Sequence, residues 1–327
     1  MDNTIDFVVT WVDSSDAIWN EKRSKFSDNK SNLNGESRFR EYDLFKYWFR
    51  AVEKYAPWVN NIYLVTDRQT PKWLNKDHPK LKLVNHDEYI PNEYLPTFNS
   101  NVIELNMHRI KELSENFVLF SDDVFLNDYV HPDDFFKNNL PVESGIIYPI
   151  FPESEFDNIR LNNVAIINKY FSKRLVTKRN FSKFYNLMYG TSLIKQIINS
   201  PYNRFPGFED KHLTTAHKKS TFEVVWEKQK DTLVNTSKHK FRELSDVNHW
   251  LVKYWNICEG NFYPQNSRFG AFFWVREYKS VIEDLKASKH KVICVNDEDE
   301  VEGLMTVKDS LIKSFEEKYP NKSKFEL

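Results

Sequence analysis

The chain has 327 residues, 40% of them apolar and 16% aromatic, with 46 basic against 47 acidic side chains and a formal net charge of −1. That length and apolar share make a soluble globular protein with a sizeable core the default, and the balanced charge gives no global field for nucleic acid, so no nucleic-acid partner is expected. No run approaches the about 18 apolar residues of a membrane span, and MDNTIDFVVTW lacks the basic start and cleavage site of a signal peptide; a cytoplasmic location is the expectation.

In chain order, Ile5 to Asp13 reads as a first strand, with Asp13 and Asp16 in the loop that follows it. Residues 20–37 are polar and irregular, the composition of a surface loop. From Arg38 to Tyr55 the apolar set Leu44, Phe45, Trp48, Phe49, Val52 and Tyr55 repeats with helical period, and Pro57 ends that helix. Asn61 to Asp67 is a second strand finishing on a carboxylate, and Leu81 to Val84 a third. Val102, Ile103, Met107, Ile110 and Leu113 predict a helix over roughly 100–115, with Asn99 or Ser100 as its N-cap. Phe117 to Phe120 is then a short apolar strand that stops abruptly at Ser121-Asp122-Asp123.

Two adjacent carboxylates at a strand end repel each other and lose hydration, unless a cation or solvent relieves them. Asp122 and Asp123 are therefore candidate ligands for a hard divalent metal, Mg²⁺ or Mn²⁺, which commonly bridges to substrate phosphates. The plainer alternative is a solvated Asp-Asp turn. With 7 glycines and neither a GxGxxG nor a GxxxxGK[ST] motif, the chain offers no glycine-loop cradle, so phosphate would be held by metal, cations or helix N-termini.

The alternation of strand, helix, strand, strand, helix, strand predicts an α/β fold: a Rossmann-like, largely parallel sheet flanked by helices, with a helical insertion and ligands at the carboxyl ends of the strands. Asp13, Asp67, Asp122 and Asp123 fall at such ends. The core is expected from 1–127 plus about 207–327, and 128–206 reads as an inserted subdomain shaping an acceptor pocket, the whole chain being a single catalytic unit. Within the insertion, Ile146 to Ile150 suggests a strand and Val164 to Lys178 a helix.

Phe208 to His212 opens a second polar cluster ahead of a helix at about 219–231. Phe241-Arg242 follows in a loop before another helix around 246–256. A lone His is usually structural, as is an Arg beside an aromatic; with an acidic metal site, His212 and Arg242 would supply the base and the anion clamp that phosphoryl transfer requires. Gly260 to Tyr278 is rich in aromatics that stack on sugar or pack as strand. Lys291 to Val295 is a strand, with a helix near 307–318. The two cysteines, Cys258 and Cys294, exclude a disulfide framework and read as isolated buried thiols.

Four blocks, in order, resemble the Stealth family of sugar-1-phosphate transferases. The first is Asp6-Phe7-Val8-Val9-Thr10-Trp11-Val12-Asp13-Ser14-Ser15-Asp16. The second runs from Arg38-Phe39-Arg40 through Lys54 to Val59, Ile62 to Asp67, Pro71 to Asn75, Leu95 to Asn101 and Ile103-Glu104 to His108-Arg109-Ile110 and Asp122-Asp123. The third joins His212, Lys219-Ser220 and Trp226 with Phe241-Arg242, and the fourth is Val295-Asn296-Asp297 with Lys322 to Glu326. Ser14, Leu44, Ser121 and Ala216 depart from the family's usual glycine, glutamate, asparagine and proline.

The resemblance implies transfer of a hexose-1-phosphate from a UDP-sugar to a sugar hydroxyl, leaving a phosphodiester and releasing UMP, in capsule or exopolysaccharide synthesis. It implies a catalytic His212, Arg242 and Asp123, a Mg²⁺ or Mn²⁺ on Asp122 and Asp123, and substrate contacts from Trp11, Asp13, Asp16, Arg38, Arg40, Asp67, Asn99, Ser100, Glu104, His108 and Lys322. Glu104 and His108, one turn apart, share a face directed at either the site or the core. The acceptor would be a glycan or a lipid-linked oligosaccharide, and the latter would bring the enzyme to the cytoplasmic face of the membrane. The competing readings are a metal-dependent glycosyltransferase that releases UDP and a carbohydrate-binding protein.

Overall fold

The computed structural model describes residues 4–26, 32–35, 39–40, 42–298 and 300–327. Four strands, β1 (Ile5–Thr10), β2 (Ile62–Thr66), β3 (Leu81–Asn85) and β4 (Asn116–Ser121), pair in parallel in the order β3-β2-β1-β4. After Asp122-Asp123 the chain enters β5 (Val124–Leu126), which belongs to a second sheet, and then a hairpin of β6 (Phe136–Lys137) and β7 (Leu140–Glu143). β8 (Thr215–Lys218) returns to the first sheet antiparallel to β4, and β9 (Tyr263–Pro264) pairs in parallel with β7. β10 (Gly270–Trp274) and β11 (Val292–Asn296) complete the second sheet, ordered β10-β11-β5.

The helices are α1 (Ala17–Ser24), α2 (Phe45–Tyr55), α3 (Ser100–Leu105), α4 (Phe156–Tyr170), α5 (Lys173–Arg179), α6 (Phe181–Phe184), α7 (Ser192–Ile198), α8 (Lys219–Lys228), α9 (Lys230–Lys238), α10 (Trp250–Glu259), α11 (Tyr278–Ala287) and α12 (Leu304–Lys318). Alternate residues of the central strands enter two separate cores, as expected for a sheet buried on both faces. Phe7, Val9, Val118 and Phe120 face α2, α11, α12 and the second sheet. Val8, Phe117 and Leu119 face α3, α4, α8 and α10, and Ile147, Val164, Ile167, Val176 and Phe205 from the 128–206 stretch join that second core. The C-terminal tail is fixed from the first side: the buried Arg50 guanidinium donates to both carboxylate oxygens of Glu326, Nε to Oε1 at 2.8 Å and Nη2 to Oε2 at 2.9 Å.

The largely parallel sheet expected from the strand–helix alternation is present, with local differences. Polar residues 20–24 are helical rather than irregular, because Asp16 caps α1 by accepting the Ile18 and Trp19 amides. The helix expected over 100–115 stops at Leu105. Asn106 turns its side-chain amide back onto the Val102 carbonyl at 2.9 Å, and Met107, Ile110 and Leu113 reach the second core from a single 3₁₀ turn and a loop. The helix expected over 164–178 is two, α4 and α5, broken at Phe171-Ser172.

Ile146 to Ile150 does not form a strand; only Ile147 bridges to Phe208, and Pro149 has no amide to extend a ladder. Gly207 makes that bridge possible, because a Cβ there would lie 2.5 Å from the Tyr148 carbonyl oxygen. The bridge sets the position of the segment leading to His212.

β7 ends on Glu143, which is buried and accepts the Ala216 amide of β8 at 3.1 Å. Burial pushes its carboxyl from 4.5 up to about 7, against the pull of Lys253. The folded chain holds this proton up to about pH 7 while the unfolded chain releases it near 4.5, so rising pH across that window costs stability, by about 3 kcal/mol in all. Glu143→Gln keeps the acceptor and removes the penalty. Its urea midpoint should exceed that of the parent at pH 8 and converge on it near pH 4.5.

Candidate active site

In the strand order β3-β2-β1-β4 the chain leaves β1 toward one side and later returns to its other side, so the crevice beyond the carboxyl ends of β1 and β4 is the topological switch point. A cleft of about 950 Å³ opens there. Thr10 of β1 is in register with Ser121 of β4, which brings Trp11 and the Asp122-Asp123 turn to the same rim. Trp11 is buried, stacks on Phe45 with ring centroids 5.6 Å apart, and lines the cleft.

Asp122-Asp123 is the turn joining the two sheets. The Asp123 carbonyl accepts the Val295 amide of β11 at 2.9 Å, and its Oδ2 accepts the Cys294 thiol at 3.4 Å. Burial and that carboxylate push the Cys294 thiol well above its ordinary range, so it stays a neutral donor. Asp123 Oδ1 is buried and has no hydrogen-bond partner among the described residues. His212 faces the same carboxylate, with Nε2 3.6 Å from Oδ2, beyond direct hydrogen-bond reach. Its backbone sits at φ +26°, where residues with side chains are uncommon.

This donor set tests the metal expectation. Asp123, His212 and Cys294 offer ligand atoms within 4.8 Å of one another, but a protonated thiol is no thiolate ligand. What remains is an orphaned carboxylate oxygen on Asp123 beside Asp122, a hard-oxygen arrangement suited to Mg²⁺ or Mn²⁺.

Arg242 also lines the cleft, held by Nη2 donating to Ser100 Oγ at 2.7 Å and Nη1 to the Leu33 carbonyl at 3.3 Å. Its loop is anchored on the fully buried Asp246, whose carboxylate accepts Asn99 Nδ2 at 2.8 Å, Asn101 Nδ2 at 3.1 Å and the Glu243 amide at 3.1 Å, with His239 Nδ1 at 2.6 Å. Glu104, on α3, lines the cleft too, and burial pushes its carboxyl up to about 7 against the pull of Arg242 and His212. His249 Nε2 lies 3.8 Å from Glu104 Oε2, and its Nδ1 lies 3.0 Å from Nε2 of the buried His217. Burial lowers both imidazoles, His217 to about 3, so this pair is neutral near pH 7.

The cleft thus gathers His212, Asp122, Asp123, Arg242, Trp11, Arg40, Asp67, Ser100 and Glu104. Asp67 is clamped by Lys22 Nζ at 2.7 and 2.8 Å, and Arg40 reaches Asp297 at 3.4 Å beside the Tyr42 hydroxyl. Five residues expected to contact substrate do not line this cleft. Asp13 and Asp16 tie the β1–α1 turn together instead, Asp13 accepting the Ser15 amide and hydroxyl and Asp16 taking a Gln69 amide proton at 3.2 Å. Asn99 is buried as the cap of α3 and partner of Asp246. His108 turns to the core against Phe222 and Trp226, because α3 ends before it and the chain rotates away from the cleft. Lys322 is exposed and donates to the Leu327 carbonyl; it is Glu326 in that block that matters, through Arg50. Arg38 lies outside the described residues.

His249, Asp246 and Cys294 are the residues that sequence reasoning missed. For Cys294 a signal existed, since its strand ends at Asn296-Asp297. For Asp246 and His249 none did, because their partners lie far away in the chain. Asn99→Ala should lower unfolding free energy by about 1–3 kcal/mol, through a lost cap and a buried carboxylate short of a donor, and should reduce turnover alongside. Urea titration and kinetics on the same preparation check it; a substrate contact alone would raise KM and leave stability unchanged.

The chain is similar to proteins of known class. Residues 3–31 match the model of Stealth protein conserved region 1 and residues 38–143 that of conserved region 2. A capsular polysaccharide phosphotransferase WcwK of Streptococcus pneumoniae is 48% identical over 327 residues, covering 98% of both chains. The exopolysaccharide phosphotransferase cps2G of Lactiplantibacillus plantarum is 42% identical, over 98% of this chain and 96% of that one. Among solved structures, the galactosyltransferase LgtC in complex with donor and acceptor sugar analogues is similar at a TM-score of 0.40 and 9% identity over 94% of this chain and 95% of that one, too distant to carry functional weight. Full-length similarity to these phosphotransferases, with both conserved regions in place, makes the chain an enzyme that belongs to the Stealth family.

Proposed function

We propose that the enzyme moves a hexose-1-phosphate from a UDP-sugar to a hydroxyl of a glycan or lipid-linked oligosaccharide, in capsule or exopolysaccharide synthesis at the cytoplasmic face of the membrane. The observation that carries this reading is the pairing of His212 with Asp123 at the sheet's switch point, with Arg242 in the same cleft. The relatives named as capsular and exopolysaccharide phosphotransferases support it.

The acceptor oxygen attacks the phosphorus that carries the sugar, and the bond from that phosphorus to the bridging oxygen of the diphosphate breaks. UMP leaves with the bridging oxygen. His212 takes the hydroxyl proton, an imidazole being suited to proton transfer near neutral pH. Arg242, fixed by Ser100, faces the charge of the diphosphate, and its rigid placement makes the stabilisation preorganised. Asp122 and Asp123 would hold Mg²⁺ or Mn²⁺, which when bound supplies neutralisation of phosphate charge. Trp11, Arg40 and Asp67 contact nucleotide or sugar, and Glu104, protonated below about pH 7, donates to a sugar or phosphate oxygen. Tyr148 and Phe156 of the 128–206 stretch line the cleft with Trp250, and these rings would face the acceptor.

Incubation with UDP-sugars, Mg²⁺ or Mn²⁺ and acceptor oligosaccharides should yield UMP and a phosphodiester phosphorus signal; UDP as the sole nucleotide product would overturn the proposal in favour of a glycosyltransferase. His212→Ala should lower kcat by roughly two to four orders of magnitude, the scale of a lost general base. Asp123→Asn should abolish turnover without moving the thermal midpoint, and full activity in excess chelator would remove the metal role.

A further inference from the structure

Among the described residues, half of the exposed large apolar side chains, nine of eighteen, lie between Tyr170 and Tyr202. α7 is inside-out. Ile194, Ile197 and Ile198, which share one helical face, are 60%, 56% and 68% exposed, while Gln196 on the opposite side is 1% exposed and accepts the Ile147 amide at 2.7 Å. α5 repeats the inversion. Lys173 is buried, donating to the carbonyls of Asn199, Ser200 and Tyr202, whereas Leu175 is exposed. Those three bonds join α5 to the end of α7, so the apolar tips belong to one region of surface. Leu187, at 87% exposure, stands on the loop between them. A soluble surface has no use for isoleucines turned outward at the cost of a buried lysine and glutamine.

Charge identifies the occupant. From Asn158 to Phe208 the sequence has no Asp or Glu and nine Lys or Arg, in a chain whose net charge is −1. Lys169, Arg174, Lys178, Arg179 and Arg204 of this stretch are exposed. Arg160 and Lys195 pair with Asp157 and Glu209, but the five exposed cations make no ion pair among the described residues, and apolar tips among such cations fit an anionic bilayer surface, into which the isoleucines insert while the cations meet lipid phosphates. A second copy of the chain would bring like charges together across a two-fold axis, and nucleic acid would leave the isoleucines without a role.

We propose that α5, α7 and the loop between them form a peripheral docking face for anionic lipid membrane. None of the described helices is long and apolar enough to cross a membrane, and docking by this face needs no spanning helix. The other side of α7 reaches the active-site cleft, where Lys195 lies over the Tyr148 ring at 4.7 Å, and the docked enzyme therefore holds its cleft beside the bilayer.

The inference is independent of the reaction proposed above, and its test needs no turnover. Full-length protein is floated with vesicles of phosphatidylcholine alone or with phosphatidylglycerol added. Binding to the anionic vesicles, lost at high salt, is expected. Ile194→Ser/Ile197→Ser/Ile198→Ser should weaken that binding by at least about tenfold, from lost apolar insertion, and Arg174→Glu/Lys178→Glu/Arg179→Glu by more, at about fivefold for each cation removed. All six side chains are exposed, so unchanged thermal midpoints confirm the fold. Equal binding by the variants, no binding by the parent, or a parent dimer that the Ser variant converts to monomer in light scattering would each overturn the proposal.

Discussion

The two-residue turn between β4 and β5 is the constraint on which the site depends. Asp122 and Asp123 end one sheet and begin another, so their carboxylates are fixed by the pairing of both: Thr10 with Ser121 on one side and Cys294 with Val124 on the other. The Val295 amide closes the turn from β11. A carboxylate oxygen of Asp123 without a protein partner among the described residues, in such a rigid place, calls for a cation or donor to offset its burial. Rigidity and unmet demand together make this turn a binding element rather than a linker.

Around it, burial sets charge more than direct pairing does. Glu104 is shifted up to about 7 and the adjacent His249 is lowered because both are withdrawn from water, which reduces the charge on that part of the cleft near pH 7. The charges that persist are held by scaffolding: Asp67 by Lys22, Arg242 by Ser100 and the Leu33 carbonyl, and the Arg242 loop by Asp246. A wall of reduced charge beside a fixed guanidinium suits the donor proposed above, whose anionic phosphates adjoin a neutral sugar.

How much of this was legible follows from range. Strands β1 to β4, their order of appearance and the acids at their ends were readable, because short apolar runs stopped by carboxylates are local patterns. The family blocks that hold His212 and Arg242 marked two residues that the fold brings into the cleft. What failed depended on side-chain direction or on distant partners. Asp13 and Asp16 have the right position but spend their oxygens on the α1 cap and on Ser15. His108 lost its shared face with Glu104 when Asn106 ended α3. The Asp246 hub joins residues over 140 positions apart, Asn99 and Asn101 among them, and no periodicity announces that. Within the 128–206 stretch the pattern of α5 and α7 is inverted, with Leu175 and the isoleucines of α7 outside and Lys173 and Gln196 inside, so periodicity did not show which way these helices face.

That inversion and the cleft meet on one helix, which limits what the acceptor can be. An α-helix with its side chains is about 10–12 Å across, and α7 has isoleucines on its outer side and Lys195 at the cleft on its inner side. With the outer side docked as proposed, the Lys195 edge of the cleft would stand roughly one helix diameter above the bilayer. A hydroxyl near the lipid end of a membrane-linked glycan lies within that reach, whereas the far end of a long polymer does not unless the chain folds back. If both proposals hold, an acceptor that is short when it receives the sugar-phosphate is favoured over the far end of a long polymer, because the cleft shares α7 with the docking face.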